Sequence, residues 1–369
     1  MVGEYATWRW YFWIGAILAA FTSIITILCI DNDYEEHKDN GVEMDWLGAG
    51  TTIVGLVLFV YAVTDSAQAP AGWRTSYILA TFILGFVILG IAFYIEGWVA
   101  KQPLLPFAAF KIKCVISNLQ SMMKFMNADT ACRYVRPFVL GLFLTFGACG
   151  IFILYATLYI RNILGVGPML LVAWYVPMGL GGVMLATIGG FVFHLIHGNI
   201  LLCVTQPPQI YISQGQQLTI LSSLVTGLAI IINSVLFATM PSNPGYWPWV
   251  FPAMCCATIA VDIIFTAASI FFTTTMPSKQ QGFAGALTNV IFQLGIAVML
   301  GFADVVVSNT RSQGERGSYK NAFWFELATG VSALMVFMGF VKMRAAKSDK
   351  TADEKEEENA MEERGAVAS

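Results

Sequence analysis

In the run from Val250 to Thr275 the polar side chains fall at Cys255, Thr258, Asp262, Thr266, Ser269 and Thr273. Spacings of three and four place them along one face of a helix, because residues at those intervals stack on the same side. The rest of the run is apolar enough to cross a membrane, which puts Asp262 near the middle of the crossing. An ionised carboxylate at that depth costs roughly 2.5–3.5 kcal/mol on insertion scales, so it should face a wet cavity or a partner group. Two chemistries fit: a carboxyl that exchanges a proton, or an acid bonded to a neighbouring helix for packing alone.

The flanking runs extend the polar interior. Gln281, Gly285, Asn289 and Gln293 repeat every four residues after it, and Ser222, Thr226 and Asn233 form a similar stripe before it. Uncharged amides in series suit hydrogen bonding to a ligand, yet Asn and Gln also join helices inside a bilayer. In "WYVPMGLGGVMLATIGG", Gly182, Ala186 and Gly190 stand four apart, a small-residue seam for close helix approach. The segment "GGFVFHLIHG" adds His194 and His197 at i, i+3. Zinc takes about four ligands, three of them from the protein in catalytic sites, and no nearby Cys, Asp or Glu completes a set, so no metal is expected. Titration near physiological pH is open to any exposed histidine, but the position favours polar residues where a helix leaves the membrane. No nucleophile constellation accompanies them, so neither a catalytic residue nor an enzyme is expected, and no cofactor.

The elements carrying these residues are legible from composition. Of 369 residues, 57% are hydrophobic and only 12% charged, and runs such as "LGLFLTFGACGIFILYATLYI" contain no charge at all. A soluble chain would interleave charge at helical or strand spacing. Runs long enough to span centre on 10–30, 46–66, 75–96, 137–160, 168–190, 217–240, 250–275, 283–305 and 321–343, which predicts about nine helices in an all-α polytopic membrane protein with the lipid bilayer as its solvent. Trp and Tyr gather at the ends of these runs, at headgroup depth. The seven cysteines are mostly inside apolar runs and read as packing residues. Net charge is −3, with acids grouped after Ile30 and after Lys350, which gives no basis for a nucleic-acid partner. The first apolar run is too long for a signal peptide.

Lys and Arg set the expected orientation. Lys101, Lys111, Lys113, Lys124, Arg133 and Arg136 fill the connection 101–136, and Lys342, Arg344, Lys347 and Lys350 flank the last run. Both fall on one side if every run crosses, and that side should be the cytosol. Arg311, Arg316 and Lys320 oppose this mildly. The tail 344–369 is too polar to bury anything and is expected to be disordered. Segments 114–134 and 204–219 look like insertions; with its two prolines and five glutamines the second could not cross lipid unsatisfied.

Several blocks in order resemble a known family: "WRWYFWIGAI", "DWLGAGTTIVGLVLFVYAV", "PLLPFAAFKIK", "YATLYIRNILGVGP", "AWYVPMGLGG", "WPWVFPAMCCATIAVDIIF" and "QGFAGALTNVIFQLGIAVMLGFAD". They are similar to the fungal fourteen-spanner drug:proton antiporters of the major facilitator superfamily, nearest the aminotriazole- and borate-resistance branch. The likeness covers nearly all of 5–343 and implies a chain that begins at the sixth helix, lacking most of the N-terminal bundle. It implies the last N-terminal-bundle helix in 1–31, two extra inter-bundle helices in 32–100, a cytosolic connection in 101–136, and a six-helix C-terminal bundle in 137–343. The histidine segment then lies where the superfamily carries a cytosolic loop motif, and the two insertions lie where relatives run straight through, as translated introns would.

What the resemblance implies for function is proton-coupled efflux of small solutes through a fungal plasma membrane, with small-molecule substrate and protons as partners and Asp262 as the coupling carboxylate. Tyr159, Tyr175, Asn233, Thr258, Thr266, Asn289 and Gln293 are the expected cavity residues. A non-transporting scaffold or an inactive fragment is the alternative, and the oligomeric state is open.

Overall fold

Inside hydrocarbon every backbone N–H and C=O must find its partner within the chain, so long runs of Leu, Ile, Val, Phe and Ala form helices. The computed structural model describes residues 7, 9–29, 46–70, 72–95, 128–195, 214–275 and 281–340, without the side chains of 128–136, 188–195, 214–221, 273–275, 281–284 and 339–340. Among them are nine helices long and apolar enough to cross a membrane. They are α1 (Arg9–Cys29), α2 (Trp46–Ser66), α3 (Ser76–Tyr94), α4 (Ala128–Leu158), α5 (Pro168–Leu195), α6 (Gln214–Thr239), α7 (Phe251–Thr275), α8 (Gln281–Asn309) and α9 (Gly314–Phe340). No strand occurs among the described residues. The protein is an all-α integral membrane protein.

Two helices begin earlier than hydropathy predicts. α4 starts at Ala128 rather than near 137, so nine residues assigned to the connection 101–136 continue the helix, with Pro137 inside it. α9 starts at Gly314 rather than near 321. The reason for the second is visible at its first turns. The Arg316 guanidinium donates from Nη2 to the Met240 carbonyl at 3.0 Å, from Nη1 to Ser242 Oγ at 2.6 Å and from Nε to Tyr159 Oη at 3.2 Å. Lys320 Nζ donates to the same Met240 carbonyl at 2.8 Å. Met240 follows the last residue of α6, where unpaired carbonyls carry the negative end of the helix dipole. The two cations therefore cap a helix end, which accounts for charge on the side opposite the basic connection.

Close approaches at glycines give the directions of the helices. Gly55 of α2 meets Leu89 of α3 while Gly85 meets Phe59, an antiparallel pair. Phe146 of α4 meets Phe292 of α8 and Tyr155 meets Asp304, so α4 and α8 run the same way; Gly227 meets Leu334 and Gly330 meets Ile230, so α6 and α9 run oppositely. Helices an odd number apart in the chain are antiparallel and those an even number apart parallel, as successive crossings require. The buried core lies within α4–α9, where Phe138, Phe146, Phe152, Tyr159, Phe237, Phe272 and Phe323 are almost fully enclosed. α2 and α3 pack on each other, and Ser308 Oγ donates at 2.8 Å to the Ala67 carbonyl just beyond α2, tying this pair to the end of α8. α1 buries none of its residues.

The chain reverses between α4 and α5 in "YIRNILGVGP". A π-turn at Tyr159–Ile163 widens the helix end. Gly165 then takes φ +65°, a left-handed conformation that costs glycine nothing. Pro168 opens α5, where its missing N–H leaves no bond unmade.

Candidate functional site

Asp262 sits in the middle of α7 against α5. A Cβ built on Gly182 would lie 3.3 Å from Asp262 Oδ2, and one on Gly181 would lie 3.2 Å from Thr258 Cγ2. The paired glycines let α5 approach until its backbone forms one wall around the carboxyl. Thr258, one turn before Asp262, donates to the Met254 carbonyl at 2.9 Å and lies 3.3 Å from the Met178 carbonyl of α5. Pro177 lies inside α5 one residue earlier. Asp262 Oδ2 is buried, and no hydrogen bond reaches it from any described residue. A carboxyl oxygen held in an apolar wall without a donor is an available acceptor for a proton or for a donor group on a solute.

The other expected residues divide around this pair of helices. Tyr175 Oη shares a 2.7 Å hydrogen bond with Thr157 Oγ1, linking α5 to α4 near the same interface. Thr266 is half-buried one turn beyond Asp262. Asn289 and Gln293 are exposed on α8, with Asn289 Nδ2 at 3.5 Å from the Gly285 carbonyl in its own helix. Tyr159 stands apart: it is fully enclosed among Phe237 and Phe323, and its hydroxyl accepts from Arg316. Asn233 is buried on α6, with its Oδ1 3.4 Å from Ser234 Oγ, whose hydrogen goes to the Ile230 carbonyl at 2.7 Å. Of the seam, Gly182 meets α7 and Ala186 is exposed, while the environment of Gly190 lies outside the described residues. The side chain of His194 and all of His197 also lie outside them, as do the side chain of Gln281, the tail 344–369, and most of the connection and both insertions. Among the described residues no group of three or more His, Cys, Asp or Glu gathers as a metal site would require.

Sequence reasoning passed over two features. One is a polar cluster where α4 ends: Tyr155 Oη donates to Asp304 Oδ1 of α8, and Asn162 Nδ2 donates to Tyr319 Oη of α9 at 3.1 Å. The other is Glu326, fully buried in α9 with both carboxyl oxygens unpartnered. A lone acid inside "FWFELATG" was the available signal.

No protein-family model matches the chain. It is 28% identical over 345 residues to a low affinity ammonium transporter of Saccharomyces cerevisiae, covering 92% of this chain and 58% of that protein. It is 24% identical over 356 residues to the efflux pump terJ of Aspergillus terreus, covering 94% and 60% respectively. With the aminotriazole resistance protein of Saccharomyces cerevisiae it shares 24% identity over 349 residues, covering 92% and 56%. A relative from Schizosaccharomyces pombe is described as an MFS-type transporter. The chain thus spans between 56% and 60% of the length of the first three. These relatives are named as membrane transporters and efflux pumps, and the chain shares with them the helices of an integral membrane protein.

Proposed function

We propose that this chain forms the C-terminal bundle and inter-bundle helices of a proton-coupled exporter of small neutral or weakly acidic solutes, in a fungal plasma membrane with its C-terminus in the cytosol. The observation that carries the reading is the Asp262 carboxyl, mid-membrane between α5 and α7 with an unpartnered buried oxygen. Transporters of this architecture bind substrate between two bundles near the midplane and rock about that site. A carboxyl that is neutral on one side of the cycle and ionised on the other ties solute movement to proton movement. Thr258, Thr266 and Tyr175 stand nearest in the fold to supply neutral hydrogen bonds. Asn289 and Gln293 offer amides on α8, whereas Asn233 and Tyr159 act from within the bundle by holding its helices.

The likeness to an aminotriazole resistance protein supports a small polar solute of aminotriazole or borate type. A second reading, ammonium as the solute, is favoured by the 28% identity to an ammonium transporter and by a carboxylate that would attract a small cation. The test is Asp262→Asn in a complete transporter containing these helices, because the amide keeps the shape and cannot exchange a proton. Membrane abundance should stay near that of the parent while export driven by a pH gradient is lost, for boric acid and aminotriazole on the first reading and for methylammonium on the second. Unchanged pH-dependent export in the variant would reduce Asp262 to a packing residue.

A further inference from the structure

Glu326 lies in a crossing of α9 with α4 and α6. It stands 12 residues after Gly314 and 14 before Phe340, the ends of α9, and so at mid-membrane. Its residue is fully buried, and neither Oε1 nor Oε2 has a hydrogen-bond partner among the described residues. Antiparallel registers set its neighbours. Gly227 faces Leu334 and Gly330 faces Ile230, which brings Ser234 of α6 beside Glu326; Gly141 faces Phe337, which brings Cys149 of α4 to the same level.

The charged surroundings are sparse. Of the described side chains on the elements packed against α9, the ionisable ones are Cys149 and Tyr155 on α4, Tyr159 and Arg161 on the π-turn after it, Asp304 on α8, which accepts from Tyr155, and Arg311 just before α9; α6 contributes none between Ser222 and Thr239. On α9 itself Lys320 and Arg316 precede Glu326 by 6 and 10 residues and are bound to the Met240 carbonyl. No countercharge reaches the carboxyl, so an ionised Glu326 would be an uncompensated buried charge. The crossing is also tight. A Cβ on Gly330 would come within 2.5 Å of Ile230, and one on Gly227 within 2.7 Å of Leu334. A metal ion with its ligand shell would force these helices apart. A proton needs no such volume.

We propose that Glu326 is a second proton-binding carboxyl, loaded independently of Asp262 and enclosed by the α4–α6–α9 crossing. On binding, one carboxylate oxygen takes the proton and the new O–H donates to Ser234 Oγ. That oxygen is free to accept, because the serine's own hydrogen is given to the Ile230 carbonyl at 2.7 Å. Thr329, one turn further along α9, lines an open, mainly apolar groove of about 420 Å³ with Leu144, Met299, Phe302 and Phe325. As a contribution to coupling this rests on the proposed proton-linked transport, whereas proton binding at Glu326 stands without it.

The experiment is infrared spectroscopy of the purified full chain in lipid, wild type against Glu326→Gln and Asp262→Asn, titrated between about pH 5 and about pH 9, a window covering the range of buried carboxyls. A protonated-carboxyl C=O band that is present in wild type and Asp262→Asn, absent in Glu326→Gln, and lost as pH rises is the expected result. Absence of such a band, or one that keeps its intensity over the whole window, would overturn the proposal. Should Glu326→Gln fail to reach the membrane, Glu326→Asp takes its place: the C=O band must shift in frequency in that variant and still be lost as pH rises, and an unshifted band refutes the site. Failure of Asp262→Asn to alter transport would sink the exporter reading and leave this spectrum unchanged.

Discussion

At the scale of single residues, the backbone of α5 comes very close to one carboxyl of α7. Gly182 leaves 3.3 Å between a hypothetical Cβ and Asp262 Oδ2, whereas Gly179, on the same helix, has nothing within 4 Å of the same position. Gly182→Leu should therefore wedge α5 from α7 and lower stability by about 1–3 kcal/mol, the usual cost of overpacking a well-packed contact. Gly179→Leu should change it by about 0.5 kcal/mol or less, as substitutions into open space do. Thermal unfolding of the two variants in detergent checks this, and equal midpoints would refute the close approach. Asp262 itself was legible from periodicity, because polar spacing of three and four survives any packing. Its partner across the interface was not, since a glycine carries no side chain to mark what it faces, and the seam singled out in α5 turned out to touch α7 at Gly182 and not at Ala186.

At the scale of elements, one guanidinium joins three of them. Arg316 on α9 bonds the end of α6, the turn before α7 and the Tyr159 hydroxyl beyond α4. Arg316→Ala leaves those acceptors to one remaining cation, Lys320, and should cost roughly 1.5–3 kcal/mol, as hydrogen bonds to charged groups do. Arg311, exposed in the same connection, should be replaceable by Ala at about 0.5 kcal/mol or less. Denaturation midpoints of the two variants give the comparison. The α4–α8 contact is tighter than any other pair with a backbone atom on the far side: a Cβ on Gly295 would lie 2.6 Å from the Phe143 carbonyl oxygen, which cannot swing away as a side chain could. Gly295→Val should thus reduce the folded yield in membranes well below that of Gly285→Val, whose site is open. Comparable yields would mean that α8 slides without penalty.

At the scale of the molecule, alternating helix directions carry the end of α3, the start of α4 and the end of α9 to one face. Engineered cysteines near Lys111 and Lys350 are expected to resist an impermeant thiol reagent added outside intact cells, while cysteines near Gly245 and Gln313 react, because the basic residues concentrate beside the former pair. Labelling of the Lys111 and Lys350 sites from outside would invert the topology. On the proposed function, alternating access needs a cavity closed by two bundles in turn, and the chain spans 56% to 60% of the length of these relatives, so residues 1–369 expressed alone should confer no resistance to boric acid in yeast lacking its own exporter, and joining them to the N-terminal half of a relative should restore it. Equal resistance from the short chain would show that these helices make a complete pathway. Composition alone determined that about nine runs are long and apolar enough to cross a membrane, which the nine helices among the described residues match, and which residues share a helix face, because hydropathy and helical period act locally and need no knowledge of neighbours. Which polar residues meet, that Arg316 and Lys320 cap α6, that Tyr159 is enclosed, and that Glu326 is buried without a partner were decided only by tertiary packing, since these follow from register between helices distant in sequence, and a shift of one turn would have given each a different neighbour.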